Sequence, residues 1–164
     1  MKRIMFLLIN CLLVFSSCDN NDDGYGCELP PNAFSAPFGF RLVSETGETL
    51  IATNGAPYED TDVEIIDADG EEPFGTYIGR AGSMSFKVAE HGEEMGLVIR
   101  KQYYLILPET ADLKPDTNEI RASYMLGLSE CNQVWYETFQ VSFGDSMYHT
   151  GEFPTDRIDF IKKM

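Results

Sequence analysis

The chain has 164 residues, 12 Lys and Arg against 27 Asp and Glu, and a formal net charge of −15. That length specifies one domain rather than several, with a core that needs no structural metal. The acidity excludes nucleic acid as a partner, because such binding draws its affinity from Lys and Arg on phosphates, and it also repels anionic lipid.

The chain opens with Lys2 and Arg3, then an apolar run over residues 4–15 interrupted by Asn10 and Cys11. Ser16, Ser17 and Cys18 follow, and then Asp19, Asn20, Asn21, Asp22 and Asp23. A membrane-crossing helix needs about 20 apolar residues. A secretory signal needs only about 7–15, with a basic start and small residues at the cut. The run therefore predicts a removable signal over residues 1–17, which leaves 147 residues with 10 basic and 27 acidic side chains. Two cuts compete. One within residues 16–21 would release a soluble protein, and one just before Cys18, with its thiol acylated, would leave an anchored protein.

The stretch Phe15-Ser16-Ser17-Cys18 resembles a lipobox, with Phe15 where Leu is usual and Ser17 where Gly or Ala is usual. A box ending in Ser and Cys, followed by an acid-rich stretch, is similar to the signals of Bacteroidetes lipoproteins. The resemblance implies lipidation of Cys18, palmitate included, and a membrane partner reached through that lipid. It also implies an outer-membrane location, facing the periplasm or exposed on the cell surface. The segment from Tyr103 to Pro108, Asp116-Thr117 and Cys131 weakly resembles small lipoproteins of the same phylum that have no assigned activity.

The four cysteines are Cys11, Cys18, Cys27 and Cys131. Cys11 leaves with the signal and lipidation consumes Cys18, so Cys27 and Cys131 remain as an even pair in an oxidising compartment. A bridge between them would close a loop of about 100 residues, worth about 4–5 kcal/mol in the chain-entropy model. Two separate thiols are the alternative.

Residues 18–37, with Pro30, Pro31 and Pro37 and no sustained periodicity, read as a tether, and residues 38–164 as the domain. Phe38, Phe40 and Leu42 alternate with Gly39, Arg41 and Val43, the pattern of a half-buried strand. Thr46-Gly47 reads as a turn and residues 48–53 as the return strand of a hairpin. A third strand over 63–67 ends at Asp69-Gly70, a dipeptide suited to positive φ, with 74–78 as its partner. Residues 83–88 and 97–107 follow, the second with Leu97, Ile99, Tyr103, Leu105 and Leu107 on one face. Residues 120–126, 134–143 and 157–161 complete the set, with a bulge expected near 138–140. The best helical window, 89–95, is broken by Gly92. The pattern predicts an all-β, antiparallel β-sandwich, immunoglobulin-like or related, with a small β-barrel as the alternative.

Candidate chemistry is sparse. Residues 59–72 hold eight carboxylates. Asp60, Asp62, Asp67 and Asp69 are weak Ca²⁺ candidates, since Ca²⁺ takes six to eight oxygens, but their spacing does not fit an EF-hand loop. No other metal and no cofactor is expected. His91 and His149 are the only histidines, Ser83 lacks the nucleophile-elbow context, and catalytic residues are not expected. The aromatic residues Trp135, Tyr136 and Tyr148 are the ligand-binding candidates, since exposed rings on a sheet can stack against sugars. Core packing is the competing role for the same rings. The reading is a non-catalytic binding or structural module of the envelope, with a glycan or another envelope protein as partner. A carbohydrate-binding accessory lipoprotein and a hydrolase are the alternatives.

Overall fold

The computed structural model describes residues 32–52, 55–79, 81–129 and 132–163. Cys18, Cys27 and Cys131 lie outside them, and with them the signal, anchor and disulfide expectations. Among the described residues nine strands form two sheets: β1 (Pro37–Ser44), β2 (Glu64–Asp67), β3 (Tyr77–Ile78), β4 (Ser83–Lys87), β5 (Val98–Leu107), β6 (Asp116–Leu128), β7 (Val134–Phe143), β8 (Ser146–Gly151) and β9 (Ile158–Lys162). The four-stranded sheet runs β3-β4-β1-β9 and the five-stranded sheet β2-β5-β6-β7-β8. This is a β-sandwich, and its sheets do not close into the alternative barrel. All pairings are antiparallel except β1 with β9. In the five-stranded sheet β5 to β8 form a meander, whereas immunoglobulin domains join their sheets by Greek-key connections.

Alternation explains which residues meet. Phe38, Phe40 and Leu42 of β1 point inward with Met84 and Phe86 of β4 and Phe160 of β9, all fully buried. From the other sheet come Tyr103, Leu105 and Leu107, then Ile120, Ala122, Tyr124 and Leu126, then Phe139 and Val141. Their rings interlock: Phe40 lies 5.0 Å from Phe160, and Phe143 stacks on Phe160 at 4.8 Å. Each such side chain contributes about 1.5–3 kcal/mol of burial.

Several expectations need correction. Packing begins before Phe38, inside the expected tether. Ala33 is fully buried and its N–H donates to the Val134 carbonyl at 2.8 Å. Of the segment expected as a return strand over 48–53, the described residues 48–52 form no regular strand and only the isolated bridges Val43–Thr49 and Ile51–Tyr58. Leu50 and Ile51 are consecutive and both buried, which breaks the alternation a strand requires. Residues 77–78 pair with β4 rather than with β2, whose partner is β5. Strand β8 was not foreseen. The bulge lies one residue earlier than expected: Met125 pairs with Thr138 and Leu126 with Tyr136, leaving Glu137 as the extra residue. That insertion lets both Tyr136 and Phe139 face the core.

Candidate binding surface

The face of the five-stranded sheet that points away from the core has a polar centre, with Val98 and Met147 exposed beside it. Cross-strand register places Arg100, Ser123 and Gln140 in one row, and Gln102, Arg121, Ser142 and Met147 in the next. These side chains occupy the alternate positions of strands whose other face fills the core. With the loop after β2 and with Lys87 and Glu90, they line a concavity of about 1000 Å³.

The wall of this concavity is built by Asp67. Its Oδ1 accepts the N–H groups of Asp69 and Glu71, each at 2.9 Å, and Gly70 takes φ +84° at the tip. This carboxylate is committed to the turn, while Asp69, Glu71 and Glu72 are exposed beyond it. Phe74, 75% exposed, carries the Lys87 ammonium 4.9 Å above its ring centre.

The cations divide into neutralised and free. Arg121 is drawn toward Glu119 at 3.1 Å, the Gly144 carbonyl at 3.1 Å and Asp145 at 3.7 Å. Lys101 bonds Glu90 at 2.7 Å and Glu93 at 3.0 Å. Burial pulls the Lys101 pKa down, but its bonds to Glu90 and Glu93 outweigh burial and raise it. Arg100 is exposed and has no hydrogen-bond or ion-pair partner among the described residues. Register also makes it a diagonal neighbour of Arg121, a separation of about 7–8 Å at which like charges oppose folding rather than assist it. A guanidinium that no described residue neutralises, in a chain with more than twice as many acids as bases, is available to a ligand.

Behind the concavity lies a buried polar cluster. The Tyr124 hydroxyl sits 2.7 Å and 2.9 Å from the two Glu93 carboxylate oxygens and 3.1 Å from the Val88 carbonyl. The Tyr136 hydroxyl accepts the Ala89 N–H at 3.2 Å and donates to the Ala33 carbonyl. Burial, the largest cause in each case, raises the pKa of Tyr103, Tyr124 and Tyr136, so all three stay neutral, and Tyr124 and Tyr136 act as donors.

The aromatic candidates do not form an exposed platform. Tyr136 is 2% exposed and stacks on Phe153 at 4.2 Å, so its ring is part of the core. Trp135 is half-buried and packs edge-on against Tyr136 and Phe153, each at 5.8 Å. Tyr148 packs on Phe160 at 5.0 Å, and its hydroxyl bonds the backbone of Ile161. None of the three lines the concavity.

Asp60 and Asp62 lie in the loop before β2, while Asp67 and Asp69 belong to the wall. Among the described residues no group of three or more His, Cys, Asp or Glu side chains gathers in a metal-holding arrangement. His91 rests on the ring of Phe34 at 4.4 Å, whereas His149 bonds the Glu152 carbonyl. Ser83 bonds the guanidinium of Arg157. Neither histidine lines the concavity. The residues that do line it, Arg100, Gln102, Arg121, Ser123, Gln140 and Ser142, were legible only as the polar half of the strand alternation.

Comparison with protein-family models, with curated proteins and with solved structures gave no match to this chain. The surface is therefore interpreted from its own chemistry.

Proposed function

We propose that this chain is an envelope lipoprotein, anchored through an acylated Cys18, whose sandwich domain is a non-catalytic module that binds another envelope protein. The observation that carries the reading is the concavity across β5 to β8, with its free Arg100 and its row of amides and hydroxyls. A polar depression of about 1000 Å³ is at the upper end of the size range of ligand sites. It is also too polar to be read as a gap in core packing. The glycan reading rested on Trp135, Tyr136 and Tyr148, and those rings are engaged in packing and backbone bonds.

The test uses the full chain in a Gram-negative envelope, with a photo-crosslinking residue at Gln140 and, as a control, at the exposed loop residue Glu109. Discrete protein adducts from Gln140 and none from Glu109 are expected. Equal labelling from both positions would overturn the binding-surface reading. Palmitate labelling addresses the anchor separately. Cys18→Ser should abolish label and membrane retention, and a Cys18→Ser chain that is processed and retained normally would remove the anchor from the proposal.

A further inference from the structure

Strand β5 pairs with β6 along its whole length, from Val98 with Met125 to Leu107 with Asp116. On its other side β2 pairs only with residues 103–106. Residues 98–102 therefore have no strand beyond them among the described residues, and their outward N–H and C=O groups have no backbone partner there. The concavity follows this stretch, since it is lined by the consecutive residues Arg100, Lys101, Gln102 and Tyr103. The loop after β2, Lys87 and Glu90 line it as well, so it reaches past β5 at the edge of the sheet as well as across its face.

Exposed edges invite pairing, and folds usually blunt them. On the opposite flank this chain does so. Strand β8 carries a register shift at Tyr148, and the Tyr148 hydroxyl bonds both the N–H and the C=O of Ile161 on β9. The free part of β5 has no such closure. What it has is charge. Lys101 is neutralised by Glu90 and Glu93, and Arg100 has no partner among the described residues. A second copy of this chain pairing along the same stretch would bring Arg100 close to its own counterpart, so the edge resists self-association. A strand carrying a carboxylate level with Arg100 would neutralise it.

We infer that residues 98–102 accept an extended peptide segment of a partner protein as an added strand, with an acidic side chain of that segment opposite Arg100. This rests on the binding-surface reading above and gives its mode: main-chain bonds supply affinity and alternate side chains supply selectivity. The wall adds a second constraint. The loop with Asp69, Glu71 and Glu72 follows Asp67, which pairs with Tyr103, so it lies at the Gln102 end of the free stretch. A uniformly acidic peptide is repelled there. The matching segment carries one acid near its centre and a basic residue toward the loop.

The test is selection of a displayed library of random seven-residue peptides on the detergent-solubilised full chain. Selected peptides should alternate apolar and polar residues, with Asp or Glu enriched at one position and Lys or Arg toward one end. Arg100→Glu should weaken them at least tenfold, and replacing the selected acid by Lys should restore binding to that variant. Arg100 is exposed and has no partner among the described residues, so this substitution spares the fold. N-methylation of alternate peptide amides should abolish binding in one phase and spare it in the other. Bound peptide should slow amide exchange within residues 98–102. Overturning results are no enrichment over blank support, equal binding to Arg100→Glu, insensitivity to N-methylation, or protection elsewhere. Adducts from Gln140 that persist beside any of these would leave the binding surface standing and remove strand addition alone.

Discussion

The Tyr148 hydroxyl stands 2.9 Å from the Ile161 nitrogen and 3.2 Å from the Ile161 oxygen, so one side chain serves both main-chain groups of a residue on the neighbouring sheet. Strand β9 pairs with β1 on one side and, among the described residues, has no strand on the other. The hydroxyl therefore substitutes for a missing strand at that point. Its ring is held edge-on by Phe160 at 5.0 Å and Phe143 at 6.4 Å, contacts that Phe would keep.

Tyr148→Phe should therefore cost about 0.5–1.5 kcal/mol in urea denaturation, the low end because water can reach the freed groups. Exchange of the Ile161 amide should accelerate, with the β1 amides unchanged. Unaltered Ile161 exchange would show that the hydroxyl does not protect that edge.

Tyr124 and Glu93 join the core to the loop between β4 and β5. The phenol is 1% exposed, and the carboxylate that receives it also holds Lys101. Tyr124→Phe should cost about 1.5–3 kcal/mol, the range for a hydrogen bond to a charged group. The pH dependence has a definite sign. Burial first, then the bond to Glu93, raise the folded pKa of Tyr124 above its ordinary value near 10. Stability from the neutral phenol is complete below about pH 10 and is lost as pH rises beyond it. Denaturation midpoints between pH 8 and 11 should fall more steeply for the wild type than for Tyr124→Phe.

The strands were legible where one face is buried and the other wet, as in β1 and β5, because period-two alternation is then strict. They were illegible where the segment is short or partly exposed on both faces. β3 has two residues, and its partner is set by the crossover between sheets rather than by a local turn. β8 reads Ser-Met-Tyr-His-Thr-Gly with both faces partly exposed, so it has no apolar face to detect. The aromatic candidates misled for a related reason. Ring type marks a strand but not which side of a bulge a ring falls on, and the extra residue Glu137 sends Tyr136 inward. Arg100 was visible in the sequence as an interruption of an apolar strand. Its lack of a partner depends on the register with Ser123, which only the folded sheet supplies.

Arg41 and Asp159 face each other across the parallel β1–β9 pair, bonded twice at 2.8 and 2.6 Å. Both are more than a third exposed, so solvent screening limits the pair to at most about 1 kcal/mol. The Arg41 hydrogen bond lowers the Asp159 pKa, with burial opposing it. A lowered carboxylate pKa gives stability that is complete above the unfolded value near 3.9 and is lost as pH falls below it. The stability gap between wild type and Asp159→Asn should be constant from pH 5 to 8, shrink below about pH 4, and narrow at high salt. A gap that persists at pH 2 would assign the effect to something other than this charge.

Gly82 and Gly127 both look too crowded for a side chain, yet they should respond differently. A Cβ at Gly82 would stand 2.2 Å from the Ile51 carbonyl oxygen and 2.3 Å from Thr49 Cγ2, and Gly82 has φ +71°. Main chain cannot step aside there, and left-handed backbone adds about 1–2 kcal/mol for any other residue. The three atoms nearest a Cβ at Gly127 all belong to the Glu137 side chain, with Oε1 at 2.3 Å, and Glu137 is the exposed bulge residue, free to change rotamer. Gly127 also lies inside β6, where replacing glycine lowers the entropy lost on folding. Gly82→Ala should destabilise by at least about 2 kcal/mol, while Gly127→Ala should fall within about 1 kcal/mol of wild type. Urea denaturation of the two variants side by side checks the contrast. Equal losses would mean that Glu137 is held as firmly as the backbone at Ile51.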